Sequence, residues 1–446
     1  MITLTHVCRA WREMFISRSS LWSNLDCAHI EKTQAYFERS GSSPINVQLC
    51  RNPDPYPLDA FLQIIPQAIG RLKSLSVSTE AKDLQDIISH LSHPAPLLEA
   101  LIINCWSYYG SQYHAILPST IFNGDLSSMR ELHLQRVCTG LPWRNMVNLT
   151  SFALRSSLAG NLGQLLDFFE SAPHLHNIDL LHTTLISGGE NGRLVPLDHL
   201  EKMRIIDCGP TSILLDHLVI PVGAKLASQS DSDTFMLEDY IPRSLDNFKN
   251  LSSVVKIHLH LDGSQPFFVR FSGPGGQLRI TATHTYIPSS QAFEPLARLD
   301  TSKTEWLRID SRNGPLSRDL SYRALLPMKN LRTLVLSRCT GLPHAFIDVL
   351  NPNTSLSNEV VCPSLEELVF VLRLWNEGEV FDMQAVIGMV AARAARGVKL
   401  RTVRDQAKLD PADVLELRKH VSHVEYGLGV DIGTYEYGRD DSDVEY

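Results

Sequence analysis

A short apolar pattern that recurs along most of the chain restricts the possible fold more than any other feature. Each copy reads as an apolar residue, two others, an apolar residue, one other and an apolar residue. Neighbouring copies in the first half lie about 20 to 31 residues apart, a period typical of repeat proteins. The copies are Leu72/Leu75/Val77, Leu98/Leu101/Ile103, Met129/Leu132/Leu134, Leu149/Phe152/Leu154, Leu175/Ile178/Leu180, Leu200/Met203/Ile205, Val254/Ile257/Leu259, Thr304/Leu307/Ile309, Leu331/Leu334/Leu336, Leu365/Leu368/Phe370 and, more faintly, Leu400/Val403.

Each copy predicts one strand followed by an outward turn. The second and third apolar positions alternate with polar ones, as in a strand with one buried face. A cysteine or asparagine follows several copies, as at Asn104-Cys105, Cys208 and Cys339, and we expect it to turn the chain out of the strand.

Helical stretches, for example 84–91 and 162–169, separate the copies. A single strand-and-helix unit cannot bury its own apolar face, so neighbouring units are expected to stack and share one core. The predicted fold class is therefore α/β, and the array resembles a leucine-rich-repeat solenoid with a curved sheet and outer helices.

Regular elements are also predicted outside the copies. Segments 30–39 and 58–67 have helical spacing, and 45–49 alternates like a strand. Two helices flank the last copies, one over 383–396 and one that begins at Pro411 with Asp410 as its N-cap. A final strand is predicted near Tyr426.

The repeat weakens between about residues 222 and 303, where we predict an irregular insertion. Segments 267–271 and 278–281 read as two strands around the glycine cluster at 273–276. A phosphate-binding loop would need a Gly-Lys-Ser/Thr ending and a following helix, so a hairpin turn is the preferred interpretation. The acidic tail, 429–446, is predicted to be disordered.

Composition excludes several classes of protein. The net charge of −8 gives no general electrostatic case for binding nucleic acid or anionic membrane. Charged residues interrupt every apolar run, which argues against a signal peptide or a membrane span. The eight cysteines form no Cys-x-x-Cys pair and are too sparse for a disulfide scaffold, so we expect a cytoplasmic or nuclear location.

The N-terminal stretch carries the most specific string in the sequence. It reads V-C-R-A-W-R from Val7 to Arg12, then S-S-L-W-S-N-L-D from Ser19 to Asp26, and predicts two short helices. One interpretation is that Trp11 and Trp22 close the N-terminal end of the repeat stack.

The whole string resembles the second half of an F-box, the adaptor-docking module of ubiquitin-ligase substrate receptors. Together with the repeats it is similar to F-box proteins abundant in mushroom-forming fungi. The resemblance implies a Skp-family adaptor and, through it, a cullin ligase as partners. The implied adaptor-binding residues are Val7, Cys8, Trp11, Arg12, Leu21 and Trp22. The Leu-Pro-x-Glu helix that opens an F-box does not precede this string, so we expect an N-terminally truncated F-box in residues 1–29.

Two functions follow from these expectations. The first is the substrate-recognition subunit of an F-box ubiquitin ligase, with residues 30–428 as the repeat domain. The second is a repeat-based interaction scaffold that no longer docks the adaptor. Neither is an enzyme, and neither requires a cofactor or a metal. An aromatic cluster that follows a repeat strand is the first candidate for binding substrate, with packing over the repeat edge as the alternative: Trp106, Tyr108, Tyr109 and Tyr113.

Other chemical motifs have simpler interpretations. The pairs His174/His176 and His258/His260 each place two imidazoles on one strand face, but without a carboxylate or cysteine at ligand spacing we predict solvent-facing histidines. Cys208 and Cys339 are interpreted as buried structural thiols rather than nucleophiles. The basic residues in 393–404 could contact an anion, although a solvated helix face and strand end explains them better.

Overall fold

A computed structural model of the chain describes residues 8–50, 58–106, 115–139, 146–186, 192–232, 235–243, 246–251, 254–261, 267–283, 293, 296, 299–311, 317–337, 342–354, 359–371, 382–407 and 409–427. The chain divides into two compact units, Met1–Lys225 (unit 1) and Leu226–Tyr446 (unit 2). The predicted acidic tail, Tyr108, Tyr109, Tyr113, Val7 and Cys339 lie outside the described residues.

Unit 1 is built on parallel strands. Its strands are β1 (Asn24–Asp26), β2 (Ile45–Cys50), β3 (Leu72–Glu80), β4 (Ala100–Trp106), β5 (Ala115–Leu117), β6 (Glu131–Gln135), β7 (Val137–Thr139), β8 (Ser151–Arg155), β9 (Leu158–Asn161), β10 (Asn177–Leu181), β11 (Thr184–Ile186), β12 (Val195–Pro196), β13 (Lys202–Ile206) and β14 (Leu218–Val219). The main sheet pairs β1, β2, β3, β4, β6, β8, β10 and β13 in that order, always in parallel. A smaller parallel sheet pairs β5, β7, β9 and β11, and β12 pairs with β14.

The recurring apolar pattern predicts the register of the main sheet. The second apolar residues of successive copies lie opposite one another, for example Leu75 opposite Leu101 and Leu101 opposite Leu132. The third positions do the same, as Val77 and Ile103 show. All of these side chains are buried, so the pattern correctly identified the core face of each strand.

The strand ends of unit 1 share one backbone feature. Arg136, Ser156, His182 and Asp207, each directly after a strand, have positive φ angles of 55°, 47°, 48° and 51°. Such angles redirect the chain out of the sheet. After three of the four, the next side chain bonds back to the strand: Ser157, Thr183 and Cys208 donate to the carbonyls of Arg155, Leu181 and Ile206 at 2.8, 3.1 and 3.3 Å. The predicted burial of Cys208 is confirmed.

Helices connect the strands of unit 1. They are α1 (Arg9–Ser17), α2 (Ile30–Arg39), α3 (Leu58–Ala68), α4 (Ala81–Ser89), α5 (Leu162–Ser171) and α6 (Ser212–Leu215), with short 3-10 turns at Ser19–Trp22, Ile69–Arg71 and Ile121–Gly124. The start of α5 has a capping box: the Asn161 side chain accepts from the Gln164 amide, and the Gln164 side chain accepts from the Asn161 amide. The predicted helices 30–39, 58–67 and 162–169 are therefore confirmed.

Unit 2 contains a mixed sheet. Its strands are β16 (Lys256–Leu261), β17 (Phe267–Ser272), β18 (Gln277–Ala282), β19 (Trp306–Ser311), β20 (Thr333–Ser337), β21 (Glu367–Val371), β22 (Thr402–Asp405) and β23 (His423–Tyr426), and β15 (Lys225–Ser230) spans the boundary between the units. Strands β16, β19, β20, β21, β22 and β23 pair in parallel in that order. The predicted hairpin is confirmed: β17 and β18 are antiparallel, and β17 extends the sheet on β16.

The helices of unit 2 are α7 (Arg318–Leu325), α8 (Leu342–Leu350), α9 (Met383–Ala395) and α10 (Pro411–Arg418), and a 3-10 turn covers Leu237–Asp239. The Asp410 side chain caps α10 by accepting from the Ala412 amide at 2.8 Å, as the sequence predicted. The interpretation of the basic run as a solvated face is wrong for Arg393, which is 0% exposed. The guanidinium donates instead to the Val361 and Cys362 carbonyls.

Both units are thus α/β structures in which most strands are parallel, in agreement with the predicted class. The described helices are all too short or too polar to cross a bilayer.

Candidate functional site

The N-terminal helix α1 presents apolar side chains that no other described element covers completely. None of its residues is buried, and Trp11, Met14 and Ile16 are each at least 40% exposed. Cys8 and Arg12 are exposed as well. Trp11 and Met14, three residues apart, lie on the same side of the helix and form what we call the α1 apolar face, whereas Ile16 lies on another side. Such a cluster on one short helix is typical of a contact surface.

Trp22 lies in a different environment from Trp11. Its indole is 0% exposed, and its Nε1 atom donates to the Phe15 carbonyl at 2.8 Å. The Tyr36 ring meets it edge-on at 4.9 Å, and the Arg39 guanidinium lies over it at 4.5 Å. Trp22 therefore holds α1 against the rest of unit 1. Of the other predicted adaptor-binding residues that the structure describes, Leu21 is half-buried and three are exposed: Cys8, Trp11 and Arg12.

The main sheet of unit 1 has a second, half-exposed face opposite the core. Its strands contribute small and polar side chains there, including Ser76 of β3. Asp179 is its electrostatic centre: Arg155 contacts it at 2.7 Å and Arg204 contacts it with two nitrogens at 2.7 and 2.8 Å. Trp106, at the end of β4, is half-buried. We call this surface the open strand face.

Unit 2 brings three metal-ligating side chains together on its sheet. His258 and His260 point to the same face of β16, and β19 places Asp310 directly opposite His260. One possible ligand atom from each of the three lies within 4.8 Å of the other two. The prediction of solvent-facing histidines is wrong here, because the His260 side chain is 3% exposed and the His258 side chain 22%. The carboxylate that is absent from the sequence next to the histidines is that of Asp310, fifty residues after His260.

Hydrogen bonds and one longer polar contact converge on the Asp310 carboxylate. His258 Nε2 lies 2.6 Å from Oδ2, and His260 Nδ1 lies 3.7 Å from the same oxygen. Arg308 Nε and Nη2 both lie 3.1 Å from Oδ1, and Nε is also 3.0 Å from Oδ2. The Nε2 atom of His260 is buried without a hydrogen-bond partner among the described residues. We call His258, His260 and Asp310 the histidine–aspartate cluster.

The cluster combines a neutral and a charged group. Burial raises the pKa of the Asp310 carboxyl, but the hydrogen bonds from the two histidines and the charge of Arg308 outweigh burial and hold that pKa well below 3.8. Burial lowers the pKa of His258, and the contact with Asp310 only partly offsets this effect. At neutral pH the cluster therefore contains a carboxylate and an uncharged His258.

Aromatic rings fix the orientation of both imidazoles. The Phe268 ring stacks on His260 at 5.0 Å with an interplanar angle of 6° and meets His258 edge-on at 4.8 Å. Trp306 lies on the other side of His258 at 6.2 Å. The other histidine pair differs: His174 is exposed and His176 half-exposed, as predicted, and both rings lie near that of His199.

The signal that places Asp310 in the cluster is present in the sequence. The copies Val254/Ile257/Leu259 and Thr304/Leu307/Ile309 align residue by residue, and the positions after their last apolar residues are His260 and Asp310. Comparing aligned copies, rather than neighbours along the chain, finds this pair. No protein-family model matches the chain, and no curated protein matches it significantly.

Proposed function

We propose that the chain is the substrate-recognition subunit of a cullin-based F-box ubiquitin ligase. In this proposal α1 and the turn at Ser19–Trp22 belong to an F-box, and the strand-and-helix repeats of each unit are leucine-rich-repeat-like. The chain itself makes and breaks no covalent bond; it holds a substrate protein while the ligase modifies it. The adaptor and cullin that it requires place it in the cytoplasm or nucleus.

The α1 apolar face is the observation that carries the proposal. A helix that contributes no buried residue to its own unit gains little stability from packing, so its exposed Trp11 and Met14 are better explained by a partner. Helix-in-groove recognition uses such apolar anchors. The sequence around the face, V-C-R-A-W-R, is the string that resembles the F-box.

The open strand face is the proposed surface for substrate. Parallel in-register strands present their polar rows side by side, and residues on such a face can vary without disturbing the core. The Arg155–Asp179–Arg204 group has more positive than negative charge, which suits an acidic patch on a substrate. Trp106 borders this face and keeps its proposed role, together with Tyr108, Tyr109 and Tyr113 of the segment that follows.

A second candidate function is a repeat-based scaffold that binds a partner without the ligase. The burial of Trp22 favours it, because one of the six residues expected to contact the adaptor is instead inside unit 1. In this case the open strand face is still the binding surface, and the α1 apolar face binds something other than a Skp-family adaptor.

Co-purification separates the two candidates. The tagged full chain is expressed in cells, and recovery of Skp-family adaptor and cullin is compared with that of a Trp11→Ala/Met14→Ala variant. The matched control is Leu415→Ala, which removes an apolar side chain that is 65% exposed on α10. The ligase proposal predicts recovery with the wild type and the control but not with the double variant. Absence of adaptor from the wild-type sample would leave the scaffold as the function.

A further inference from the structure

We propose that His258, His260 and Asp310 form a binding site for a divalent transition-metal ion, with Zn²⁺ as the ion of choice. This inference goes beyond the proposed function and does not depend on it. Two imidazole nitrogens and one carboxylate oxygen are a donor set that zinc uses when three protein ligands leave a position open.

The distances between the donors fit a small cation. Zinc binds histidine nitrogen and carboxylate oxygen at about 2.0–2.2 Å, so neighbouring ligand atoms of a tetrahedral site lie roughly 3.3 Å apart. The His258–Asp310 distance of 2.6 Å and the His260–Asp310 distance of 3.7 Å lie on either side of that value. To reach the tetrahedral spacing, the first pair of atoms has to separate by about 0.7 Å and the second to approach by about 0.4 Å.

The backbone holds all three donors on rigid elements. His258 and His260 are two residues apart on β16, and β19 fixes Asp310 through a register that runs unbroken from Lys256 to Leu261. The stacked Phe268 ring restricts His260, and the edge contact restricts His258. Sites on paired strands with constrained side chains keep their ligand geometry better than sites on loops.

Arg308 has a defined place beside the site. The Oδ2 atom of Asp310 is the oxygen that both histidines approach, whereas Oδ1 is contacted by Arg308 through Nε and Nη2. A metal ion on Oδ2 would replace the histidine contacts and the Arg308 contact there, and Oδ1 would remain held by Arg308. Outer contacts of this kind orient ligating carboxylates in metal sites.

The exposure of the three side chains gives an ion access to the cluster. His258 keeps 22% of its side chain exposed, which provides an entry path. The His260 and Asp310 side chains are each 3% exposed, so an ion that enters past His258 reaches two ligands that the protein shields from solvent.

The test measures zinc binding to the full chain after chelator treatment, by calorimetry and by metal content after gel filtration. We expect one zinc ion per chain at this site, with a dissociation constant of roughly micromolar or tighter. His260→Gln and Asp310→Asn should each weaken binding by at least about 100-fold, since each removes a ligand. Cobalt in place of zinc should give the visible absorption of a tetrahedral site, and this absorption should disappear in the same variants.

The control is His174→Gln/His176→Gln, which removes imidazoles from the other histidine group and should leave the affinity of the proposed site unchanged. His258→Gln, at the partly exposed position, serves as the second variant if His260→Gln does not fold. A wild-type chain that retains no zinc at micromolar concentration overturns the proposal. It is also overturned if His258→Gln and Asp310→Asn bind zinc as tightly as the wild type.

Discussion

The indole nitrogen of Trp22 donates a hydrogen bond to the carbonyl oxygen of Phe15 at 2.8 Å. Phe15 belongs to α1, whereas Trp22 is buried beneath α2 beside Tyr36. One tryptophan of the N-terminal string therefore fixes the position of α1, and this leaves Trp11, the other tryptophan, available on its surface.

Trp22→Phe should loosen α1 without unfolding the rest of unit 1. The substitution removes the indole donor and leaves the Phe15 carbonyl with only the longer bond from the Arg18 amide at 3.4 Å, at a cost of about 1 kcal/mol. Hydrogen exchange should show faster exchange for the amides of Arg9–Ser17 and unchanged protection in β3 and β4. Trp11→Phe is the control. Because the Trp11 side chain is 44% exposed, this substitution should leave the exchange rates of α1 unchanged. Equal exchange of α1 in wild type and Trp22→Phe would show that the bond does not hold the helix.

The guanidinium of Arg393 should contribute strongly to the stability of unit 2. It donates to the carbonyls of Val361 at 2.8 Å, Cys362 at 2.7 Å and Leu350 at 3.3 Å, all inside the core. Arg393→Met removes this donor from all three carbonyls, although the Cys362 carbonyl keeps the bond from the Leu365 amide at 3.1 Å. We expect a loss of about 2–4 kcal/mol in the free energy of unfolding. Arg396→Met, on the exposed end of the same helix, should change it by less than about 0.5 kcal/mol. Similar urea midpoints for the two variants would contradict this account.

Asp405 makes the stability of unit 2 depend on pH. It occupies a core position on β22, opposite Phe370, and is 1% exposed. Burial raises its pKa to about 6, although the hydrogen bond from the Ala407 amide partly lowers it. Asp405 therefore binds its proton more tightly in the folded chain than in the unfolded chain. The resulting contribution to stability is complete below the unfolded pKa of about 3.9. That contribution is lost as pH rises through about 6.

Asp405→Asn should therefore stabilise the chain at neutral pH, by up to roughly 3 kcal/mol. Asparagine keeps the acceptor for Ala407 and removes the buried charge. The difference in thermal midpoint between variant and wild type should shrink as pH falls from 7 to 4.5. Asp198→Asn, at an exposed carboxyl, provides the comparison and should show no such trend. A constant difference across this pH range would mean that Asp405 does not titrate as described.

On the open strand face, Asp179 should contribute more to the stability of the chain than Arg155 does. Asp179→Ala leaves Arg204, which is 17% exposed, without its two-nitrogen contact, and we expect a cost of about 1–3 kcal/mol. Arg155→Ala removes a partner that is 43% exposed and should cost less than about 1 kcal/mol. Urea denaturation of both variants tests the order, and the reverse order would show that Arg155 is the dominant partner.

Much of the fold could be predicted from the sequence because the same physical constraint recurs. Leu101, Leu132 and Ile178 must each fill the same row of one core, so their spacing reveals both the strands and their register. The hairpin around Gly273 and the cap at Asp410 were predictable for local reasons, since turns and caps depend on neighbouring residues.

The exceptions are residues whose partners lie far away along the chain. Arg393 appeared to belong to a basic surface, yet the carbonyls that bind it come from residues 31 to 43 positions earlier. Asp405 is buried at a core position opposite Phe370 of the neighbouring strand, where the residue type alone predicts an exposed carboxylate. His260 acquires Asp310 only because β16 and β19 are adjacent. Local spacing contains none of these contacts.

Equilibrium binding between the purified chain and a purified Skp-family adaptor tests the central claim most directly. We predict saturable binding, with protection from hydrogen exchange on binding concentrated in Arg9–Ser17. Trp11→Ala should weaken binding by at least about 30-fold, or roughly 2 kcal/mol, as expected for an exposed aromatic anchor, while Leu415→Ala should bind like the wild type. Absence of binding, or equal affinity for wild type and Trp11→Ala, would contradict the assignment of the α1 apolar face to the adaptor.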